Sequence, residues 1–246
     1  MSRLEAWPLP GLPEVRPGDD LAALIATAAG GALRPGDVLV VAHKVVSKAE
    51  GALVALDGIV ASERARELAD GTDKDPRHVQ VVLDESAELV RAERGVLIAR
   101  TAHGLVCANA GVDASNAPAP DMLVLLPVDP DASAAQIRER FRELTGKTVG
   151  VLITDSFGRP WRQGTIDVAL GAAGIEVLRD LRGTRDRVGY ELHATMIAIG
   201  DEIASAAELV MGKTDGIPAV VVRGLEVAGT GSAHDLVIPE GRDLFR

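Results

Sequence analysis

Four short runs of consecutive apolar residues place the strongest limit on how this chain can fold. They occupy residues 38–42, 122–128, 149–153 and 219–222, and they are rich in Val, Leu and Ile. Runs of this length without polar alternation are typical of strands buried on both faces. Because only 2% of the 246 residues are aromatic while 47% are apolar, aliphatic side chains must fill the core. The chain is therefore predicted to fold as Val-rich strands packed against Ala-rich helices.

Helical segments separate these runs. Helices are predicted at residues 21–25, 62–68, 84–94, 131–144 and 202–210, the first capped by Asp19 or Asp20. Further strands are predicted at residues 96–99, 105–108 and 194–199, the first two as a hairpin around His103 and Gly104. Loops are predicted at residues 70–76, 112–121 and 154–164, where Gly, Pro and polar residues concentrate. This order favours a mixed α/β (α+β) class, and the lack of a linker favours one domain over residues 1–246.

The charge of the chain and its single cysteine disfavour several classes of function. A net charge of −10 would repel the phosphates of nucleic acid. With Cys107 alone, no intrachain disulfide and no cysteine-based zinc site can form, and its apolar surroundings predict an inert, buried thiol. The histidines show no HExxH spacing, and no GxSxG motif is present. No signal peptide or membrane-length run is found, so we expect a cytoplasmic protein without nucleic-acid or membrane partners.

The densest polar segment, residues 154–164, follows a predicted strand. Ligand sites in open α/β sheets lie beyond the carboxyl ends of strands, and Asp155 and Ser156 carry the oxygen ligands that Mg²⁺ or Mn²⁺ prefers. Arg159 and Arg162 could bind phosphate or carboxylate oxygens, so they join Asp155 as candidate catalytic residues. The alternative is a surface turn in which Asp155 caps a backbone amide and both arginines are solvated.

A second oxygen-rich loop contains Asp113, Ser115 and Asn116. These side chains could complete a metal site, because Mg²⁺ commonly takes one or two carboxylates together with phosphate oxygens and water. The alternative is a local turn in which the Asp113 side chain bonds to nearby backbone.

Two further segments could bind a phosphate chain. Lys44 and Lys48 follow a buried strand, although their four-residue spacing is equally typical of a solvated helix face. Residues 211–216 are similar to the end of a P-loop but lack its first glycine, and a helix that ends in glycine is the alternative.

A cationic stretch follows residue 178. It could gather an anionic substrate, or it could form surface salt bridges with the acidic residues around it. The residues are Arg179, Arg182, Arg185 and Arg187.

Six segments, taken in order, carry a resemblance to a known family. They are GLP at residues 11–13, KVVSKAEG at 44–51, NAGVDASN at 109–116, LPVDPD at 126–131, ITDSFGRPWR at 153–162 and ELVMGK at 208–213. Together they resemble the coenzyme F420:L-glutamate ligases, also called F420-0:gamma-glutamyl ligases, over nearly the full length. The resemblance implies an unusual mixed fold with two intertwined subdomains. Some relatives continue into a flavin-dependent reductase domain, which this chain is expected to lack.

The resemblance also implies a reaction. L-Glutamate would be joined through its α-amino group to the phospholactyl carboxylate of coenzyme F420-0 or its dehydro form, with later glutamates added by γ-linkages. GTP would be the co-substrate, Mg²⁺ or Mn²⁺ the metal, K⁺ a further candidate cation, and the protein a homodimer. An acyl phosphate is the expected intermediate, because a carboxylate is a poor acceptor for an amine until it is phosphorylated.

Matched residue by residue, the resemblance implies two sets of binding residues. The metal ligands would be Asp113, Asp155 and Ser156. The guanine-nucleotide contacts would be Gly11, Leu12, Pro13, Glu14, His43, Lys44, Lys48, Asn116, Met211, Gly212, Lys213, Thr214, Asp215, Gly216, Ile217 and Pro218. Ser156 replaces a threonine of some relatives and keeps the hydroxyl. Lys213 stands where some relatives have a glutamine that binds a second metal, and an ammonium cannot ligate a cation.

Two other functions stay open at this point. The chain could be a non-catalytic partner that binds GTP without consuming it. It could also be a phosphotransferase or hydrolase that uses Asp155 as a nucleophile and forms a phosphoaspartate.

Overall fold

The computed structural model describes residues 3–244, which form twelve strands and six α-helices. The strands are β1 Glu5–Pro8, β2 Val38–Ala42, β3 Leu53–Ala55, β4 Ser86–Glu93, β5 Val96–Thr101, β6 Val106–Ala108, β7 Met122–Val124, β8 Gly150–Arg159, β9 Arg162–Ala173, β10 Arg179–Asp180, β11 Met196–Ile197 and β12 Ala219–Arg223. The helices are α1 Leu21–Ala29, α2 His43–Glu50, α3 Glu63–Ala69, α4 Pro76–Asp84, α5 Pro130–Thr145 and α6 Ile199–Met211. The predicted α+β class is confirmed.

A five-stranded sheet forms the centre, in the order β1-β12-β2-β8-β9. All neighbouring strands are antiparallel except β2 and β8, which run parallel with Ala42 opposite Thr154. Three of the four apolar runs lie in the inner strands β12, β2 and β8. Their side chains alternate between the faces, so that Leu39 and its neighbour Val40 enter opposite apolar clusters.

Helices cover both faces of this sheet. Ile25 of α1 and Phe141 of α5 join the cluster on the first face, whereas Ile203 and Ala204 of α6 join the cluster on the second. A strand covered on both faces has no solvated side, which explains why the runs in β2, β8 and β12 lack polar alternation.

A smaller layer packs beside the central sheet. It contains α3, α4, the antiparallel sheet β4-β5-β6 and the pair β3-β7. Val79, Leu97 and Leu123 are buried in its own apolar cluster. The loop before β7 joins this layer through a bridge between Asp113 and Val124, so the small layer fixes the backbone of a predicted site residue.

The predicted cap of the first helix is confirmed, and Asp20 rather than Asp19 supplies it. Its side chain accepts a hydrogen bond from the Ala23 amide at 3.0 Å. The carboxylate of Asp129 caps α5 in the same way, with Pro130 as its first residue. Each cap satisfies an amide that has no partner inside its helix.

The predicted helix at residues 84–94 is wrong, because that segment forms strand β4. Leu89 lies opposite Ala99 of β5, with irregularities in register on both sides of the pair. The predicted hairpin that begins at Val96 supplies backbone partners for this third strand. Tertiary pairing has here outweighed local helical propensity.

The predicted loop at residues 154–164 is also wrong, because most of it is strand. β8 continues to Arg159 and β9 begins at Arg162, with Trp161 at a φ of 56° in the turn between them. Asp155 lies opposite Val168. Antiparallel pairing with β9 satisfies the backbone, so the segment can be polar and still be a strand.

Two predicted strands are shorter than expected. The run at residues 122–128 is a strand only to Val124, and Pro127 has no amide hydrogen with which to continue the pairing. The run at residues 194–199 is a strand only over β11, since α6 begins at Ile199. None of the helices within residues 3–244 combines the length and the apolar character needed to cross a bilayer.

Candidate functional site

An open cleft with a volume of about 240 Å³ lies where the parallel strands β2 and β8 meet. Ala42, at the end of β2, and Thr154, its neighbour on β8, both line the cleft. The remaining walls come from the segment before α1, helix α2, Asn116, strand β9, the end of α6 and the loop that follows it. A crevice at the carboxyl ends of parallel strands is the usual ligand position in an α/β sheet.

Most of the residues predicted to bind nucleotide or metal line this cleft. They are Leu12, Pro13, Glu14, His43, Lys44, Lys48, Asn116, Asp155, Ser156, Met211, Gly212, Lys213, Thr214, Gly216, Ile217 and Pro218. Gly11 and Asp215 do not line it but are next in sequence to residues that do, and Asp113 is joined to Lys44 by an ion pair. Five segments distant in sequence are thus brought together.

The two lysines of α2 are buried, so the solvated-helix alternative is wrong. Lys44 is 9% exposed and Lys48 is 5% exposed. The Nζ atom of Lys44 lies 2.5 Å from Asp113 Oδ2, and that of Lys48 lies 2.5 Å from Glu14 Oε1. A buried ammonium requires such partners, because the loss of hydration is otherwise too costly. The pairs hold two positive charges at the cleft wall.

Asp113 is held both by its own loop and by α2. Its Oδ1 accepts a hydrogen bond from the Ser115 amide at 2.6 Å, which confirms the predicted local turn. The Lys44 ammonium also donates to Ser115 Oγ at 2.6 Å. Burial raises the pKa of Asp113, but the bonds from Lys44 and Ser115 outweigh burial and hold that pKa below its ordinary value. The carboxylate is therefore ionised at neutral pH.

Asp155 faces the cleft beside a buried histidine. Its Oδ1 lies 3.3 Å from Nε2 of His43, and its side chain is 14% exposed. The angles of this contact do not satisfy a hydrogen bond, so His43 Nε2 is a buried nitrogen without a hydrogen-bond partner among the described residues. His43 Nδ1 is turned towards Ser47 Oγ at 3.4 Å. The Asp155 carboxylate is consequently available to a group bound in the cleft.

Asp167 is a cleft residue that the sequence reasoning missed. It lies on β9 opposite Ser156 and is almost fully buried. Its oxygens accept hydrogen bonds from Ser156 Oγ at 2.7 Å and from Thr154 Oγ1 at 3.0 Å. Burial raises its pKa, and the two hydroxyls act in the opposite direction. An isolated acid between apolar neighbours, Ile166 and Val168, was the signal that could have revealed it.

The loop after α6 carries a cation into the cleft. Gly212 ends the helix with a φ of 62°, and its amide bonds to Glu208, so the predicted helix-terminal glycine is confirmed. Beyond it, Lys213 Nζ donates a hydrogen bond to Ser156 Oγ at 3.1 Å. No group of three or more His, Cys, Asp or Glu side chains in residues 3–244 is arranged to hold a metal without other ligands.

Comparison with known proteins decides the family. The model of the F420-0:gamma-glutamyl ligase family matches residues 11–224. The chain belongs to this family. It is 53% identical to the coenzyme F420:L-glutamate ligase of Methanopyrus kandleri, over 99% of this chain and 98% of that protein. Its identity to the Archaeoglobus fulgidus protein of the same name is 46%, over 99% and 97% of the two chains. The protein of this name from Methanocaldococcus jannaschii is 47% identical over 87% and 86%.

The two arginines that were predicted to be catalytic do not line the cleft. Arg159 and Arg162 flank the turn between β8 and β9, where Arg159 Nη2 donates to the Gln163 carbonyl at 3.2 Å. In the separate cationic stretch, Arg179 pairs with Glu176 and Arg182 pairs with Asp180, as the surface alternative predicted.

Cys107 of this family member is buried, as predicted, and we expect it to be unreactive. Burial raises the pKa of its thiol to about 12, from an ordinary value of 9.0. At that pKa, the thiol forms roughly 10³-fold less thiolate at neutral pH than an ordinary cysteine does. A thiol-reactive dye should therefore label the folded protein roughly 10³-fold more slowly than the urea-unfolded protein. Equal labelling rates would contradict the burial.

Proposed function

We propose that this chain is a coenzyme F420:L-glutamate ligase, an enzyme that forms an amide bond between L-glutamate and coenzyme F420-0 with consumption of GTP. Family membership and the relatives' names support the ligase activity. The observation that carries the finer proposal is the cleft at the carboxyl ends of β2 and β8, in which two buried lysines lie with the Asp155 carboxylate, which accepts no hydrogen bond from a described residue. That combination suits a polyphosphate with a bound cation.

The reaction takes place in two balanced steps. A carboxylate oxygen of the acceptor attacks the γ-phosphorus of GTP, which gives an acyl phosphate and releases GDP. The amino group of L-glutamate then attacks the acyl carbon, the C–N bond forms, inorganic phosphate leaves with the C–O electron pair, and the amine loses a proton. Later glutamates react in the same way at a γ-carboxylate. Most of the barrier to phosphoryl transfer is lowered by positioning and charge neutralisation.

The side chains of the cleft suit these tasks. Lys44 and Lys48 are positively charged and rigidly paired, so they can neutralise phosphate oxygens without reorganisation. A divalent cation, Mg²⁺ or Mn²⁺, would neutralise charge on the transferring phosphoryl group, and Asp155 and Asp113 would hold it. Asp155 fits that role because neither of its oxygens accepts a hydrogen bond from the described residues. The segments at residues 11–14 and 211–218 would contact the nucleotide.

The test is mass spectrometry of the products. Purified protein is incubated with glutamate-free coenzyme, L-glutamate, GTP and Mn²⁺ or Mg²⁺. We expect a mass increase of one or more glutamyl units together with GDP, and no increase when GTP or the metal is omitted.

Three outcomes would contradict the proposal. Intact GTP and no product with either the saturated or the dehydro acceptor would favour a binding-only partner. GTP cleavage without a product would favour a hydrolase. A phosphate trapped on Asp155 by acid quench would favour the phosphoaspartate mechanism.

A further inference from the structure

The hydroxyl of Ser156 is engaged on both sides by protein groups. It accepts a hydrogen bond from Lys213 Nζ at 3.1 Å and donates one to Asp167 Oδ1 at 2.7 Å. The second oxygen of Asp167 accepts from Thr154 at 3.0 Å. One chain of contacts therefore runs from an ammonium through a hydroxyl to a buried carboxylate.

Lys213 follows directly on the end of α6. Gly212 ends that helix with a φ of 62°, and Lys213 is the next residue of the loop. The charge of Lys213 also favours the ionised form of Asp167, whereas the charge of Asp155 opposes it. The lysine thus supplies positive charge where two acidic side chains lie close together.

This arrangement does not fit a divalent cation at Ser156. An ammonium has three donors and no lone pair, so it cannot be a ligand, and it repels a second cation. A hydroxyl has only two lone pairs, and Lys213 already uses one of them. An ion on the other lone pair would share one neutral oxygen with the ammonium, with no negative charge between the two cations.

The Asp155 side of the cleft differs from the Ser156 side in its suitability for a cation. No described residue donates a hydrogen bond to its carboxylate, and its near neighbour is a histidine ring. Asp113 is paired with Lys44, but a carboxylate has about four acceptor positions and a full negative charge, so it can bind a lysine and a metal ion together. The Asp155 carboxylate is therefore the group on this side that is able to hold a cation.

We propose that the Lys213 ammonium takes the place of a second metal ion, so that each chain binds one divalent cation rather than two. The assignment rests on the proposed function for its role in the reaction: Lys213 would neutralise phosphate charge on the Ser156 side while the cation does so on the Asp155 side. Lys213 is exposed to solvent, so its ammonium is able to contact a bound phosphate.

The test counts bound Mn²⁺ by equilibrium dialysis, with Mn²⁺ alone and with Mn²⁺ plus saturating GDP, followed by elemental analysis per chain. We expect one Mn²⁺ per wild-type chain, two per chain in Lys213→Gln, and one in the matched control Lys213→Arg, which keeps the positive charge. Circular dichroism checks that the variants are folded.

Two wild-type ions, or none, would overturn the proposal, and so would a Lys213→Gln protein that still binds one. The count needs no turnover, so it is independent of the ligase assay. If the wild type binds one ion and Lys213→Gln binds two while no glutamate is added, the ligase proposal fails and the single-metal site stands.

Discussion

Replacing Asp155 by Asn should lower kcat for glutamate addition by about 10³-fold, because the neutral amide binds poorly the divalent cation that would neutralise charge on the transferring phosphoryl group. The substitution keeps the shape of the side chain, and Asp155 makes no hydrogen bond to a described residue that the amide would break. The fold should therefore be unchanged. Steady-state product formation, measured by mass spectrometry alongside a thermal melt, separates the loss of activity from a loss of structure.

The matched control is Asp84→Asn, which makes the same chemical change at the exposed end of α4, outside the cleft. We expect its kcat to equal that of the wild type. Full activity in Asp155→Asn would remove Asp155 from the mechanism, and an equal loss in both variants would show that the effect is not local to the cleft.

Truncation of Phe141 to Ala should destabilise the protein by about 3–5 kcal/mol, the usual cost of removing a buried aromatic ring. Phe141 is 1% exposed, and it fixes α5 against the face of the sheet formed by β8 and its neighbours. The lost ring removes apolar contact and leaves a cavity that the helix cannot fill. Urea denaturation followed by circular dichroism measures the free energy of unfolding.

Two further variants calibrate that measurement. Leu144→Ala, on the same helix but 43% exposed, should cost less than about 1 kcal/mol. Phe141→Leu should cost less than about 2 kcal/mol, because most of the buried volume is kept. A loss below about 1 kcal/mol in Phe141→Ala would mean that α5 is not fixed to the sheet through this ring.

Patterns local in sequence predicted much of the secondary structure. The caps of α1 and α5 follow from an acid placed before an amphipathic run, and the inner strands follow from apolar runs too short to be buried helices. These features depend on interactions within a few residues, which a sequence displays directly. The helix prediction at residues 84–94 was wrong because the structure there depends on a separate segment. β4 is a strand because β5 lies beside it and pairs with it.

The candidate site was likewise predicted in part from the sequence and in part only from the structure. The ordered motifs of the sequence indicated the segments that reach the cleft, and they made Asp155 and Asp113 candidate cation ligands. It gave no means of deciding whether Lys44 and Lys48 were solvated. Their burial depends on acids from other segments, Asp113 and Glu14, which only the packed chain brings within 2.5 Å.

By itself, the sequence determined the family, the class of fold, the inner strands and the segments that line the cleft. Only the tertiary structure decided which charges face one another. Asp167 meets Ser156 because β8 and β9 pair in one particular register, and Lys213 reaches the same hydroxyl because α6 ends above it. Strand register and helix docking are set by contacts between residues far apart in the chain, so local patterns cannot specify them.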